Sequence, residues 1–303
     1  MRVAAIDLGT NTFILLIAEV EGGEIVRVLH DEVQVVRLGQ GVHQSKEFHP
    51  EALGRAEACL AAFSGVIRKH RVERIRACAT SAARDVRNTH ELAALGEKYG
   101  IPIEIISGER EAEYTYWGTI RPPLQQPVLI VDVGGGSTEF IYGNHSGIIA
   151  RQSIDLGSVR LTELFVSKHP IPMPELRLMT GFVKERITVL KAQLPLVDVK
   201  KIIAVAGTPT TLAMLDQGIP EYSADHVDGY ILKTDRLYKW FERLVGLRVD
   251  ERQRLIGMQS GRADVIVAGL LILLAAAEAF DVKEFEVSTR GLRFGLAQEL
   301  GAK

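Results

Sequence analysis

One short pattern occurs twice in this chain, each time in the same surroundings. Asp7-Leu8-Gly9-Thr10-Asn11-Thr12 aligns residue by residue with Asp132-Val133-Gly134-Gly135-Gly136-Ser137, and both read D-x-G-x-x-[ST]. Each copy ends an apolar strand pattern, at residues 3–6 and at 128–133, and each is followed by another. A strand–turn–strand unit recurring at this distance is a repeat of a whole domain, longer than any solenoid unit. The chain is thereby restricted to two related α/β domains.

The intervening pattern fits that reading. Residues 13–20 and 24–38 read as strands joined by a tight turn at Glu21-Gly22-Gly23-Glu24. A helix opens at His49-Pro50-Glu51 and runs to about His70, with proline near its first position. Strands at 74–79 and 101–106 alternate with helices at 89–99 and 109–119. Three prolines within Arg121-Pro122-Pro123-Leu124-Gln125-Gln126-Pro127 then break the pattern and mark a boundary. The expected domains are 1–122 and 123–289, with a final helix over 290–303 packing back onto the first.

Composition narrows the function. A chain of 303 residues exceeds what one core usually serves, and its 47% hydrophobic and 24% charged residues are ordinary for a globular protein. A net charge of −2 means that an acidic ligand is met by local cations rather than a global basic field. Nucleic-acid binding as the main task is disfavoured on the same ground. The only cysteines, Cys59 and Cys78, match no zinc spacing and read as buried reduced thiols in a cytoplasmic protein. The early Arg2 and Asp7 do not make a signal peptide. The apolar run 265–277 is too short to span a bilayer and reads as a buried helix.

The repeated turn has a chemistry. Glycine lets backbone approach a bulky anion, and consecutive N–H groups in such turns form an anion-binding concavity. Asn11, Thr12, Ser137 and Thr138 add side-chain donors for phosphate oxygens. Asp7 and Asp132 repel phosphate directly, and suit a hard cation such as Mg²⁺ that neutralises it. Glu139, two residues after Ser137, shares its strand face and is a further metal candidate. A strand follows each turn, so neither is a P-loop or a dinucleotide fingerprint, which need a helix there. From position alone, Glu109 and Glu111 read as carboxylates favourable at a helix N-terminus. The basic run 68–71 reads as a solvated helix end, and His226 as a loop residue. For Gly207-Thr208 a helix start and a ligand contact stay equally open.

Several segments in order resemble the exopolyphosphatase/guanosine pentaphosphate phosphohydrolase family. They are residues 5–12, 79–84, 106–112, 131–139, 156–163, 206–211, 262–264 and 290–295, spread over nearly the whole chain. The resemblance implies two actin-like (ribonuclease H-like) domains with an interdomain cleft. It implies that Glu111 is the general base holding the attacking water, and that Arg84 contacts phosphate. Gly134, Gly135, Gly136, Ser137 and Thr138 would form the main phosphate loop, with Asn11 its counterpart and Gly157, Ser158 and Arg160 a further edge. Asp132 and Glu139 would be the magnesium-associated carboxylates. Arg110 and Thr289 depart from the family pattern, standing where many members carry an acid. Longer members have an additional helical module that this sequence does not contain, which weights the expectation toward short polyphosphate chains.

The expected activity is hydrolysis of the terminal phosphate of polyphosphate, or of guanosine pentaphosphate to the tetraphosphate, as in the stringent response. Alternatives are an acetate- or sugar-kinase-like phosphotransferase and a non-hydrolytic sensor of guanosine tetraphosphate or polyphosphate. Homodimerisation is a family-level expectation.

Overall fold

The computed structural model describes residues 1–302 apart from 122, 123, 125, 196–198 and 200. Pro122, Pro123 and Gln125 of the proline-rich stretch therefore lie outside the described residues. The chain forms two compact units, Met1–Thr119 with Gly291–Lys303, and Ile120–Arg290. They are called here the first and second domains.

The first domain runs β1 (Arg2–Leu8), β2 (Thr12–Glu21), β3 (Glu24–Val35), α1 (Val42–Ser45), α2 (Pro50–Lys69), β4 (Arg74–Ala79), α3 (Ser81–Arg84), α4 (Thr89–Tyr99), β5 (Ile103–Ile105) and α5 (Gly108–Thr119). Its sheet has the order β3-β2-β1-β4-β5. The hairpins β1–β2 and β2–β3 are antiparallel, and β4 and β5 are added in parallel. The central strand β1 sends Ala4, Ile6 and Leu8 into one apolar layer, with Leu53, Leu60 and Phe63 of α2. Val3 and Ala5 enter the other. Burial on both faces is why β1 reads as a continuous apolar run rather than an alternating one. Asp7 has the parity of Val3 and Ala5.

The second domain runs β6 (Val128–Val133), β7 (Thr138–Asn144), β8 (Gly147–Ile154), α6 (Ser158–Phe165), α7 (Met173–Gln193), β9 (Ile202–Val205), α8 (Gly207–Gln217), α9 (Ala224–Val227), β10 (Ile231–Lys233), α10 (Thr234–Val245), α11 (Val249–Gln253), α12 (Ile266–Phe280) and β11 (Glu284–Ser288). Its sheet has the order β10-β11-β9-β6-β7-β8. Apart from the antiparallel edge strand β10, order and strand sense repeat the first sheet: β6 stands for β1, β7 for β2, β8 for β3, β9 for β4 and β11 for β5. Both are α/β domains built on one strand plan. The core centres on α12, whose Ile266 to Ala277 are all buried. Among the described residues no helix is long and apolar enough to cross a membrane.

The last helix, α13 (Leu292–Ala302), belongs to the first domain and packs against α5, β1 and β2. Its crossing with α5 leaves no room for side chains. A Cβ on Gly118 would fall 2.0 Å from the Gly291 carbonyl oxygen, and one on Gly295 2.1 Å from that of Tyr114. Ion pairs frame the contact: Glu299 accepts from Arg76 at 2.9 Å and also from Arg110. Arg293 forms a two-pronged pair with Asp31 of β3 at 2.9 and 2.8 Å. Arg110, unusual for the family resemblance, thus ties α5 to α13.

Some elements differ from their sequence reading for visible reasons. The strand expected over 101–106 contracts to Ile103–Ile105, because the Ile101 N–H closes the end of α4 on the Gly96 carbonyl at 2.9 Å. The last helix begins at Leu292 rather than 290: Arg290 N–H binds Ser288 Oγ at 3.2 Å, and Gly291 turns at φ 127°. His226 lies in the short helix α9, not in a loop. Cys59 and Cys78 are free and buried, and burial pushes both thiols up to about 12.

Candidate active site

The repeated turns share an atomic detail. Gly9 N–H donates to Thr12 O at 3.0 Å, and Gly134 N–H to Ser137 O at 3.1 Å, each closing the loop between two antiparallel strands. A Cβ would lie 3.0 Å from the acceptor at Gly9 and 2.9 Å at Gly134, so both turns are tight around glycine. They sit where the sheet order reverses, at the C-terminal ends of β1 and β6, the usual binding position in open α/β sheets.

The two turns are braced differently. In the first, Thr10 O accepts from Gly39 N–H at 2.9 Å, and Asn11 O from the N–H groups of Val36 and Arg37 at 3.1 and 2.8 Å. The segment after β3 holds it, and both Thr10 and Asn11 are buried. In the second, the start of α6 holds it. Gly134 O accepts from Ser158 N–H at 3.0 Å, and Gly135 O from the N–H groups of Val159 and Arg160 at 2.9 and 3.0 Å. Gly136 O accepts from Arg160 Nε at 2.7 Å. Three successive carbonyls drawn toward α6 turn the partner N–H groups of those planar peptides the opposite way. Gly157 is required for the approach, since a Cβ there would fall 2.3 Å from Gly135 O. Thr138 Oγ1 donates to Leu156 O, fastening the other side. Gly157, Ser158, Arg160 and Thr138 therefore all touch the loop or its flank.

The carboxylates separate into two settings. Asp132 and Glu139 face one another across β6 and β7. Glu139 is buried, and its Oε1 accepts from Ser137 Oγ at 2.9 Å and Ser153 Oγ at 2.7 Å. Two hydroxyls turned onto one oxygen orient it as an acceptor-only group. Asp7 holds the matching place in the first domain, but opposite Ile14 of β2 and Cys78 of β4. Among the described residues no cluster of three or more His, Cys, Asp or Glu is gathered. Two oxygen ligands are nevertheless what Mg²⁺ takes from a protein when waters and phosphate complete its shell, so the Asp132–Glu139 pair fits that ion chemically.

Glu111 and Arg84 meet in the first domain. Arg84 Nη1, from α3, donates to Glu111 Oε2 at 2.7 Å and to the Ile106 carbonyl at 3.1 Å. Glu111 is 9% exposed in the first turn of α5, while Glu109, one face away, is exposed. Position in the sequence made both of them helix-start carboxylates; burial distinguishes Glu111.

Gly207 and Thr208 begin α8 directly after β9. Val205 pairs with Asp132, so this turn lies at the same end of the sheet as the Gly134 loop. Thr208 is buried, its Oγ1 so close to α12 that a Cβ on Gly269 would fall 2.3 Å away. The space at Gly207 is filled by Arg262: a Cβ there would lie 1.8 Å from its guanidinium carbon. Arg262 is 8% exposed, and burial pushes its guanidinium down to about 10. Its loop is held by the fully buried Arg252, which donates to Leu244 O at 2.8 Å and to Ala263 O at 3.0 Å. Arg262 was not among the expected site residues. Its only sequence signal was the Arg262-Ala263-Asp264 segment, which does not say what the arginine faces.

Comparison with known proteins agrees with this architecture. The model of the Ppx/GppA phosphatase family matches residues 16–301. Exopolyphosphatase 2 of Mycobacterium tuberculosis is 36% identical over 314 residues, covering 99% of this chain and 98% of that protein. The crystal structure of an exopolyphosphatase-like protein superposes with a TM-score of 0.93 at 31% identity, covering 99% of this chain and 97% of that one. That of the Aquifex aeolicus Ppx/GppA family member does so with 0.81 at 30% identity, again covering 99% and 97%. With the family model matching from residue 16 to residue 301, across both domains, this chain belongs to the Ppx/GppA phosphatase family.

Proposed function

We propose that this protein hydrolyses the terminal phosphoanhydride of inorganic polyphosphate, with short chains preferred, and that Glu111 is its general base. The observation that carries the reading is Glu111 itself: a buried carboxylate in the first turn of α5, held by Arg84 at 2.7 Å. A sensor has no need of such a group. The relation to an exopolyphosphatase of nearly the same length weighs for polyphosphate over guanosine pentaphosphate.

In this reading the Gly134–Ser137 turn binds terminal phosphate oxygens through its backbone N–H groups, helped by the Ser137 hydroxyl once it turns from Glu139 to the phosphate. Thr138, Gly157, Ser158 and Arg160 act with it, the last three by bracing its carbonyls. Asn11 and Thr12 serve the equivalent turn of the first domain. Gly207, Thr208 and Arg262 supply a third contact, with Arg262 the local cation that a chain of net charge −2 requires. Asp132 and Glu139 would hold Mg²⁺, which when bound neutralises phosphate charge, and Asp7 is the matching carboxylate of the first domain. Glu111 orients a water and takes its proton as the oxygen attacks phosphorus. The P–O bond to the bridging oxygen breaks, and the shortened polyphosphate leaves with that electron pair. Arg84 keeps the Glu111 carboxylate in place and adds positive charge toward phosphate. A cytoplasmic homodimer is the corresponding physiological form.

The test offers purified protein tripolyphosphate, long-chain polyphosphate and guanosine pentaphosphate with Mg²⁺ and measures phosphate release. Faster release from polyphosphate is expected. Equal or faster release from guanosine pentaphosphate reverses the substrate order. Phosphate transfer from ATP to an acceptor without hydrolysis of either replaces the reading altogether.

A further inference from the structure

The buried cation beside Gly207 has an unusual companion. Arg262 Nε donates to Gln259 Oε1 at 3.1 Å. The same oxygen accepts from Thr211 Oγ1 of α8 at 2.8 Å, and Gln259 Nε2 rests on Met214 Sδ at 3.4 Å. Two donors on one side and a sulfur on the other fix which way the amide points. Thr211 and Met214 are buried, so the arrangement is part of the α8 core rather than a surface contact.

A guanidinium 8% exposed is ordinarily matched by a carboxylate, because an isolated buried charge is costly. Here no carboxylate pairs with it among the described residues, and burial alone governs its downward shift to about 10. It remains a cation at neutral pH. Glutamate would occupy nearly the space of glutamine and accept from the same two donors. Glutamine orients the arginine without cancelling its charge.

We propose that Gln259 is a positioning residue that aims Arg262 at an anionic phosphoryl group docked at the start of α8 and preserves the charge for that ligand. This rests on the assignment of phosphate binding to the Gly207 turn. The neutral acceptor is the point of the design: an internal carboxylate would stabilise the fold and compete with the ligand for the same guanidinium.

The experiment measures binding of methylenediphosphonate, a hydrolysis-resistant diphosphate, together with thermal melting. Gln259→Glu is expected to melt at the wild-type temperature or above and to bind the probe on the order of tenfold more weakly. Gln259→Met, which removes the acceptor without adding charge, is expected to bind more weakly with no gain in melting temperature. In an Arg262→Gln background, Gln259→Glu is expected to cause no further loss. Wild-type affinity in Gln259→Glu or Gln259→Met overturns the proposal, as does an equal loss from Gln259→Glu in the Arg262→Gln background. If Arg262→Gln itself binds like wild type, the phosphate assignment of this turn fails first and takes the proposal with it.

Discussion

The two domains are built on one plan and carry different chemistry. Each has the same hairpin, the same N–H-to-carbonyl closure of the glycine turn, and the same parallel strands beside it. At matched places the side chains diverge. Asp132 faces Glu139, whereas Asp7 faces Ile14. The helix after β5 opens with Glu109 and Glu111, and the helix after β11 has no acid in its first turn. After β4 stands the four-residue α3 with Arg84; after β9 stands the eleven-residue α8, with Arg262 against its first glycine. Duplication supplied two glycine turns closed in the same way. Divergence left the Arg84–Glu111 pair in the first domain and the facing carboxylates in the second.

The sharpest way to break this contrast is Glu111→Gln. Turnover is expected to fall by roughly 10²–10⁴-fold while binding of methylenediphosphonate is retained. Full phosphate release by the variant removes the base from the first domain. The carboxylate asymmetry comes next. Glu139→Gln is expected to raise the Mg²⁺ concentration for half-maximal activity on the order of tenfold, and Asp7→Asn by less. An equal or larger shift in Asp7→Asn means that the second domain does not dominate metal binding.

The bracing of the turns gives a stability comparison. Gly157→Ala places a Cβ 2.3 Å from Gly135 O, and Gly9→Ala places one 3.0 Å from Thr12 O. The first is expected to cost about 1–3 kcal/mol in denaturant unfolding and the second less. The reverse order shows the α6 brace to be compliant.

Two smaller effects separate the domains by pH and by thiol chemistry. In the second domain, burial works against the Asp216 charge, but hydrogen bonds from Trp240, Arg236 and Tyr230 hold its carboxyl below the usual range. A carboxyl lowered on folding stabilises above its unfolded value, and loses that contribution as pH falls through its folded value. Asp216→Asn is therefore expected to cost about 1–3 kcal/mol at pH 7, with the gap to wild type closing in acid. A gap independent of pH shows that the charge is not the source. Both cysteines lie in the first domain, buried and pushed up to about 12. Native protein at pH 8 is expected to resist alkylation, and labelling in rising denaturant then reports the first domain alone. Fast native labelling contradicts the packing around Cys59 and Cys78.

Much of this molecule was legible before its structure. The strands 74–79 and 128–133 and the helix 89–99 are local matters of apolar pattern and flanking turns, and they appear with the boundaries read from the residues. The turns, their hairpin setting and the carboxylates beside them were also plain, because glycine and aspartate there answer to nearby backbone. Ile101 was misassigned to a strand because the helix end that captures its N–H was not visible in an apolar run.

What the sequence determined by itself is thus the duplicated frame and its glycine turns, both encoded over a few neighbouring residues. Only the tertiary structure decided which side chains meet. Arg84 reaches Glu111 across 27 positions, α6 reaches back to draw the carbonyls of the Gly134 turn, and Arg262 closes over Gly207. Those choices depend on how sheet and helices pack, and a periodicity of two or of 3.6 residues carries no information about partners so far apart. The pair of glycine turns therefore announced a duplicated fold, while folding selected which charged groups meet.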